Sequence, residues 1–213
     1  MIRLALPKGR NLAPTLDALR AAGLGLDEVG GDRRLWLHLG GGRGLGDEEV
    51  EVLLLKDPDL PLYVEYGVAD FGVVGSDVLD EVGSDLLVPL RLVAGRSRLS
   101  LIGREGGLPA PGDQIRLATK YPGIARRLVA NRPWGAEIVR LSGAIELAPM
   151  LELAEIALDI VQTGRTLVEN GLVELETIAE VAPCLVVNRA SFQQHRAVFN
   201  DLIGRLEAAG VAQ

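Results

Sequence analysis

The chain has 213 residues, enough for one or two compact units with a buried core. Hydrophobic residues make up 48% and charged residues 24%, with mean hydropathy +0.22, which excludes both a disordered chain and a membrane-embedded one. Lys+Arg 22 against Asp+Glu 29 gives a net charge of −7 without any basic block, which argues against a nucleic-acid grip built on phosphate neutralisation.

Ile2 to Leu6 reads as a short buried strand, followed by the loop Pro7-Lys8-Gly9-Arg10 and a helix over 12–22 with Asn11 as its expected N-cap. Arg34 to Leu39 alternates, the glycine-rich stretch 40–46 is a loop, and Val50 to Leu55 returns as its antiparallel partner. A helix over 60–67, a buried strand over 70–74 and a helix from Gly75 to about Gly83 continue the α/β rhythm. The apolar run 86–93, interrupted by Pro89, is expected to cross between two lobes. Beyond it come strands 99–103, 115–118, 136–140, 156–161 and 184–188, and helices over 122–131, from about Ser142, and over 165–170. A final helix, 191–209, is expected to be capped by Ser191 and stopped by Gly210. The elements fall into two sets: 1–90 with 183–213 as lobe I, and 91–182 as lobe II. Two small α/β lobes around a cleft fit this order, with ligands outside the carboxyl ends of strands.

The amino-terminal apolar stretch is far shorter than a signal segment, and no run of apolar residues is long enough to span a bilayer, so a cytoplasmic chain without a membrane partner is expected. Cys184 is the single cysteine, so no intramolecular disulfide forms. With His38 and His195 far apart in sequence, a zinc site is disfavoured, and any metal would take oxygen ligands. The glycines of 40–46 lead into a strand rather than a helix, so they are not a dinucleotide fingerprint.

The most informative stretch runs from Ala157 through Asp159 and Gln162-Thr163-Gly164-Arg165-Thr166 to Gly171. A strand ends in an acid, turns at a glycine and enters a short helix, which is the arrangement of a phosphomonoester cradle. Gly164 admits close backbone approach, amide N–H groups point outward, and Thr163 and Thr166 add hydroxyl donors. Asp159 is placed to accept from sugar hydroxyls or to hold Mg²⁺. A plain helix cap beside a solvated carboxylate uses the same residues, so the loop alone leaves both readings open. Lys8 and Arg10 offer two cations at a strand end, or form an ordinary surface loop. All but three of the basic residues are arginine, and Lys8, Lys56 and Lys120 each fall at or just after an expected strand end.

Leu6-Pro7-Lys8-Gly9-Arg10, Asp59 to Glu65 with Ala69-Asp70-Phe71-Gly72, Ala118 to Pro122, and Leu141 to Pro149 running on to Asp159 and Thr163-Gly164-Arg165-Thr166-Leu167 together resemble the short-form ATP phosphoribosyltransferase family. The resemblance spans essentially the whole chain. Glu152 stands where the family usually has Gly, Glu155 where Asp is usual, and Lys56 where Arg is commoner. The resemblance implies a type II periplasmic-binding-protein-like fold with two α/β lobes around a cleft. It implies attack of adenine N1 of ATP on C1 of phosphoribosyl pyrophosphate, giving phosphoribosyl-ATP and pyrophosphate in histidine biosynthesis. Thr163, Gly164, Arg165 and Thr166 would hold the 5-phosphate, and Asp159 with Glu146 the ribose hydroxyls. Lys8, Arg10 and Arg33 would meet pyrophosphate and ATP. Mg²⁺ would be held mainly by substrate. A regulatory subunit resembling histidyl-tRNA synthetase is the implied partner, with a homodimer of this chain inside the hetero-oligomer. A solute-binding protein is the main alternative of another class, set against this by the Asp159 and Thr163–Thr166 pattern. A purine-salvage phosphoribosyltransferase is the second, and usually places two adjacent acids where Asp159 is followed by Ile160.

Overall fold

A computed structural model describes residues 1–31 and 34–213, apart from the side chain of Arg10. Two compact units are formed, one by Met1–Arg96 with Ala182–Gln213 and the other by Ser97–Val181. The junctions therefore fall at 96/97 and 181/182, where the sequence reading set 90/91 and 182/183.

In the first unit the chain runs through β1 (Ile2–Pro7), a 3₁₀ turn (Gly9–Asn11), α1 (Leu12–Ala21), β2 (Trp36–Gly40), β3 (Val50–Leu55), α2 (Leu60–Glu65), β4 (Phe71–Gly75), α3 (Ser76–Val82) and β5 (Leu87–Arg91). In the second unit follow β6 (Ser97–Gly103), β7 (Gln114–Thr119), α4 (Pro122–Val129), β8 (Gly135–Arg140), α5 (Leu147–Met150), β9 (Ile156–Val161), α6 (Arg165–Glu169) and β10 (Val173–Val181). The chain then returns to the first unit with β11 (Pro183–Val187), α7 (Arg189–Gln194) and α8 (Arg196–Ala208).

Among the described residues the first sheet has the order β2-β3-β1-β4-β11-β5. Strands β3, β1 and β4 are parallel, whereas β2 pairs with β3 and β11 with β4 in antiparallel fashion. The apolar run Leu4-Ala5-Leu6 of β1 follows from burial on both faces. Ile2, Leu4 and Leu6 pack with Leu16 and Leu19 of α1 and with Phe199, Leu202 and Leu206 of α8, while Ala5 joins Leu60 and Val64 of α2 on the other side. Each such fully buried large side chain contributes about 1.5–3 kcal/mol relative to exposure. Gly72 is required by packing rather than by its backbone angles: a Cβ there would lie 2.7 Å from the Ala5 carbonyl oxygen of the neighbouring strand. The alternation in β2 buries Leu37 and Leu39 and leaves Trp36 and His38 outward, as the period of two demands.

The second sheet has the order β10-β6-β9-β7-β8, with β9, β7 and β8 parallel and β6 antiparallel to both β9 and β10. One face packs Leu99, Leu117 and Leu158 against Tyr121, Ala125 and Trp134, and the other packs Ala118, Ala157 and Val161 against Ala148 and Leu167.

Several local expectations are corrected. Residues 86–93 do not cross between units: Leu87–Arg91 is an edge strand of the first sheet, where Pro89 lacks nothing because no neighbour needs its N–H. The segment 173–181, expected as no element, is the longest strand among the described residues. Ser142 opens no helix, and the helical turn there is Leu147–Met150. The final helix is two, divided at His195 (φ −116°, ψ 34°). Its cap is Asn188, whose Oδ1 accepts from the amides of Ala190 (2.9 Å) and Ser191 (3.1 Å), while Ser191 Oγ donates to Asp70 (2.6 Å). Asn11 does not cap α1 with its side chain, which donates instead to Asp57 at 2.9 Å.

Candidate functional site

The parallel strands of the second unit end on one edge. Register pairs Thr119 with both Arg140 and Leu158, so the segments following β7 and β8 and the last residues of β9 emerge together. Thr119 is fully buried, and its Oγ1 donates to the Leu158 carbonyl at 2.8 Å while accepting from the Tyr121 amide at 2.9 Å. These two hydrogen bonds fasten the turn after β7 to β9 and set Lys120 beside Asp159. Lys120 Nζ stands 3.3 Å from Asp159 Oδ1, without the alignment of a hydrogen bond. The Asp159 side chain is only 19% exposed, and Oδ1 is enclosed without any hydrogen-bonding partner among the described residues.

Past β9 the chain turns through Gln162 and Thr163 to Gly164, whose φ of 73° is the left-handed conformation that glycine adopts without a Cβ clash. Gly164 caps α6 through its carbonyl, which accepts from the amides of Leu167 (3.1 Å) and Val168 (3.2 Å). Thr163 Oγ1 accepts from the Arg165 amide at a long 3.4 Å. Thr163, Arg165 and Thr166 are exposed, and the Arg165 guanidinium has no ion-pair partner among the described residues; nor does Arg140 at the end of β8. The edge thus combines one enclosed carboxylate, an open hydroxyl-bearing turn and cations in excess of it. That is the electrostatic complement of a phosphorylated, hydroxyl-rich ligand.

Asp159, Thr163, Gly164, Arg165 and Thr166 therefore lie together. Glu146 precedes α5 in the connection that leaves the same edge, half-buried and without an ion pair among the described residues. Lys8 belongs to the first unit, where its amide donates to the Leu55 carbonyl at 2.8 Å and joins the carboxyl ends of β1 and β3. Arg10 lies in the adjoining 3₁₀ turn, and Arg33 lies outside the described residues. Lys120 was missed as a site residue. Its sequence signals were a lysine two positions past an expected strand end, which is common in α/β chains, and its place within the Ala118–Pro122 stretch of the family resemblance.

Glu152 and Glu155 lie at the other end of the second sheet, before β9 begins. Strands of six residues put the two edges about 20 Å apart. Glu155 accepts from the Arg116 guanidinium at 2.6 Å and from its amide at 2.6 Å, and these hydrogen bonds hold its carboxyl well below the usual range, at about 2. With Arg104, Leu108 and Asp113 these residues line an open hollow of about 480 Å³. Burial pushes the Cys184 thiol up to about 11, so it is no nucleophile. His38 and His195 sit in the first unit, 3.6 Å from Glu51 and 3.2 Å from Glu48. No helix among the described residues is long and apolar enough to cross a membrane.

Two α/β units, one of them inserted between strands of the other's sheet, define the periplasmic-binding-protein-like class. The fold is shared with a solved protein, Tv2483 bound to L-arginine, with a TM-score of 0.61 at 11% identity over 97% of this chain and 85% of that one. A much stronger likeness is to the ATP phosphoribosyl transferase (HisG:HisZ) complex from Thermotoga maritima, with a TM-score of 0.80 and 32% identity over 98% of both chains. Residues 56–208 match the family model HisG, ATP phosphoribosyltransferase. The ATP phosphoribosyltransferase of Thermus thermophilus is 46% identical over 96% of this chain and 95% of its own, and that of Marinobacter nauticus 44% over 98% and 95%. The chain belongs to the ATP phosphoribosyltransferase family. It is accordingly a pentosyltransferase, acting at the first step of histidine biosynthesis.

Proposed function

We propose that this chain transfers the phosphoribosyl group of phosphoribosyl pyrophosphate to N1 of the adenine of ATP, releasing pyrophosphate, with the edge of the second unit where β7, β8 and β9 end as its sugar-phosphate site. The observation that carries the assignment of the site is the enclosed Asp159 carboxylate followed directly by the open Thr163–Thr166 turn. In this reading Thr163, Gly164, Arg165 and Thr166 receive the 5-phosphate. Asp159 Oδ1, lacking a hydrogen-bond donor of its own, accepts from the ribose diol, assisted by Glu146.

Cleavage of the C1–O bond runs ahead of N1 attack, so positive charge grows on the ribose ring and negative charge on the leaving group. The transfer needs no covalent intermediate on the protein. What the side chains supply is alignment of the two reactants and offset of the leaving group's charge. Lys8, Arg10 and Arg33 are assigned to that second task, toward pyrophosphate and the ATP phosphates.

The family's reaction takes a divalent metal, and we assign Mg²⁺. The hard oxygen donors at this edge, Asp159 with its orphaned Oδ1 and Glu146, suit a cation that keeps much of its water and arrives with the substrate. When bound, such an ion supplies charge neutralisation to pyrophosphate oxygens. The likeness to the HisG:HisZ complex supports a regulatory partner subunit. We assign to that partner the character of a histidyl-tRNA-synthetase-like chain, to this chain a homodimer within the assembly, and to the enzyme a cytoplasmic location.

The test is direct. The purified chain, with ATP, phosphoribosyl pyrophosphate and Mg²⁺, is expected to form phosphoribosyl-ATP, measured with and without the partner subunit. Absence of product in both settings, or consumption of free adenine or hypoxanthine without ATP, overturns the reading.

A further inference from the structure

We propose that Lys120 is a positioning residue of the sugar site, acting through Asp159; this rests on the sugar-phosphate reading of that edge. The two residues come from the turn after β7 and from β9, and they meet because of register. Thr119, the last residue of β7, pairs with Leu158 of β9, so the residues that follow, Lys120 and Asp159, are neighbours by construction. The turn that holds Lys120 cannot drift, because the buried Thr119 hydroxyl bonds to β9 on one side and to the Tyr121 amide on the other.

The ammonium is held from two directions. Asp159 Oδ1 lies 3.3 Å away, and the centroid of the Tyr121 ring, itself 5% exposed, lies 4.9 Å away. Lys120 is one-third exposed, so the charge sits at the mouth of the site rather than in the core. What the geometry withholds is equally telling: at 3.3 Å the pair attracts by charge, yet Oδ1 receives no aligned hydrogen bond. Its acceptor capacity stays open.

The physical need for such a cation follows from the substrate. A bare carboxylate four residues before a phosphate-holding turn repels the phosphoryl group that the turn attracts. Lys120 cancels that field while leaving Asp159's lone pairs to the diol, and it fixes the carboxylate's direction before the sugar arrives. An arginine at this position would carry the same charge, whereas a methionine would keep the length and lose it.

Binding of phosphoribosyl pyrophosphate with Mg²⁺ to the full chain, measured by titration calorimetry, tests this in a double-mutant cycle. Lys120→Met is expected to weaken binding about 10-fold and Asp159→Asn at least as much, with the double variant no weaker than Asp159→Asn alone, because the cation acts only through the carboxylate. Lys120→Arg is expected to retain most of the affinity. Multiplicative losses in the double variant, or unchanged affinity in Lys120→Met while Asp159→Asn is impaired, overturn the role of Lys120 and leave the sugar site standing. Unchanged affinity in Asp159→Asn and in Thr166→Ala overturns the sugar site itself. Thermal midpoints of all variants within a few degrees of the parent keep a folding defect from imitating either result.

Discussion

Arg98 grips Glu174 with two hydrogen bonds, 2.9 Å from Nε and 2.7 Å from Nη2, and so ties the first strand of the second unit to its last. Ser100 Oγ (2.7 Å) and Thr177 Oγ1 (2.8 Å) donate to the same carboxylate. The Arg98 hydrogen bonds, followed by those of the two hydroxyls, hold the Glu174 carboxyl down at about 2 against an ordinary 4.5. A depressed carboxyl stabilises the fold fully above its unfolded value and loses that contribution as pH falls from about 4.5 toward 2. Glu174→Gln is therefore expected to cost about 1–2 kcal/mol near neutrality, after allowance for solvent screening of a partly exposed pair. The gap in urea midpoint between parent and variant should stay constant above about pH 4.5, narrow below it as the unfolded chain's carboxyl protonates, and close only as the pH approaches about 2. Parallel curves would show that the group contributes through shape alone.

Thr166→Ala removes one hydroxyl from the phosphate turn and is expected to weaken phosphoribosyl pyrophosphate binding by about 10-fold, the worth of one charge-assisted hydrogen bond. Arg33→Ala, by contrast, is expected to lower kcat more than it raises KM, because its proposed task is to offset leaving-group charge. Steady-state kinetics with each substrate varied separates the two effects.

Glu152 holds φ at 59°, a conformation that costs a non-glycine residue roughly 1–2 kcal/mol. Its ion pair to Arg104, 3.6 Å long and exposed, returns little of that. Glu152→Gly is expected to raise stability by up to about 1 kcal/mol, the gain being trimmed by glycine's greater freedom in the unfolded chain. It should leave affinity for phosphoribosyl pyrophosphate unchanged, since the residue lies at the far edge of the sheet. A fall in the denaturation midpoint would contradict the strain argument.

Phe199 is fully buried against Phe71, edge to face at 5.4 Å, and beside Phe192 at 6.1 Å. Phe199→Ala is expected to destabilise the protein by about 3–5 kcal/mol through the cavity it leaves. Chemical denaturation of the purified variant measures this.

The parallel strands and the phosphate turn were legible because their signals are local: unbroken apolar runs for strands covered on both faces, and a glycine where the backbone must turn left-handed. The strand Val173–Val181 was not. Bulges between Glu174 and Glu176 and between Thr177 and Ala179 shift the phase of its side chains, and the alternation of Val173 to Glu176 breaks off after four residues instead of running the length of the strand. Leu87–Arg91 was misread because Pro89 forbids a central strand but not an edge, and edge status is a property of the sheet. The cap at Asn188 was overlooked in favour of Ser191, since either residue type can cap and only tertiary contacts decide; here Asn188 Nδ2 also donates to the Val64 carbonyl at 2.9 Å. Lys120 beside Asp159 is a consequence of strand register between residues 39 apart, which no local pattern contains.

The place of β11 between β4 and β5 has a consequence for the order of synthesis. As the chain leaves the ribosome, β5 has no neighbour to bond with until residues 183–187 emerge, and by then every residue of the second unit has been made. Ser97 and Val181 are ladder partners that bring that unit's two ends side by side, so it can close on itself once Val181 is made, without any residue of the segment that follows. The inserted unit can thus mature on the nascent chain while the host sheet waits, one strand short, for its carboxyl-terminal segment to complete it.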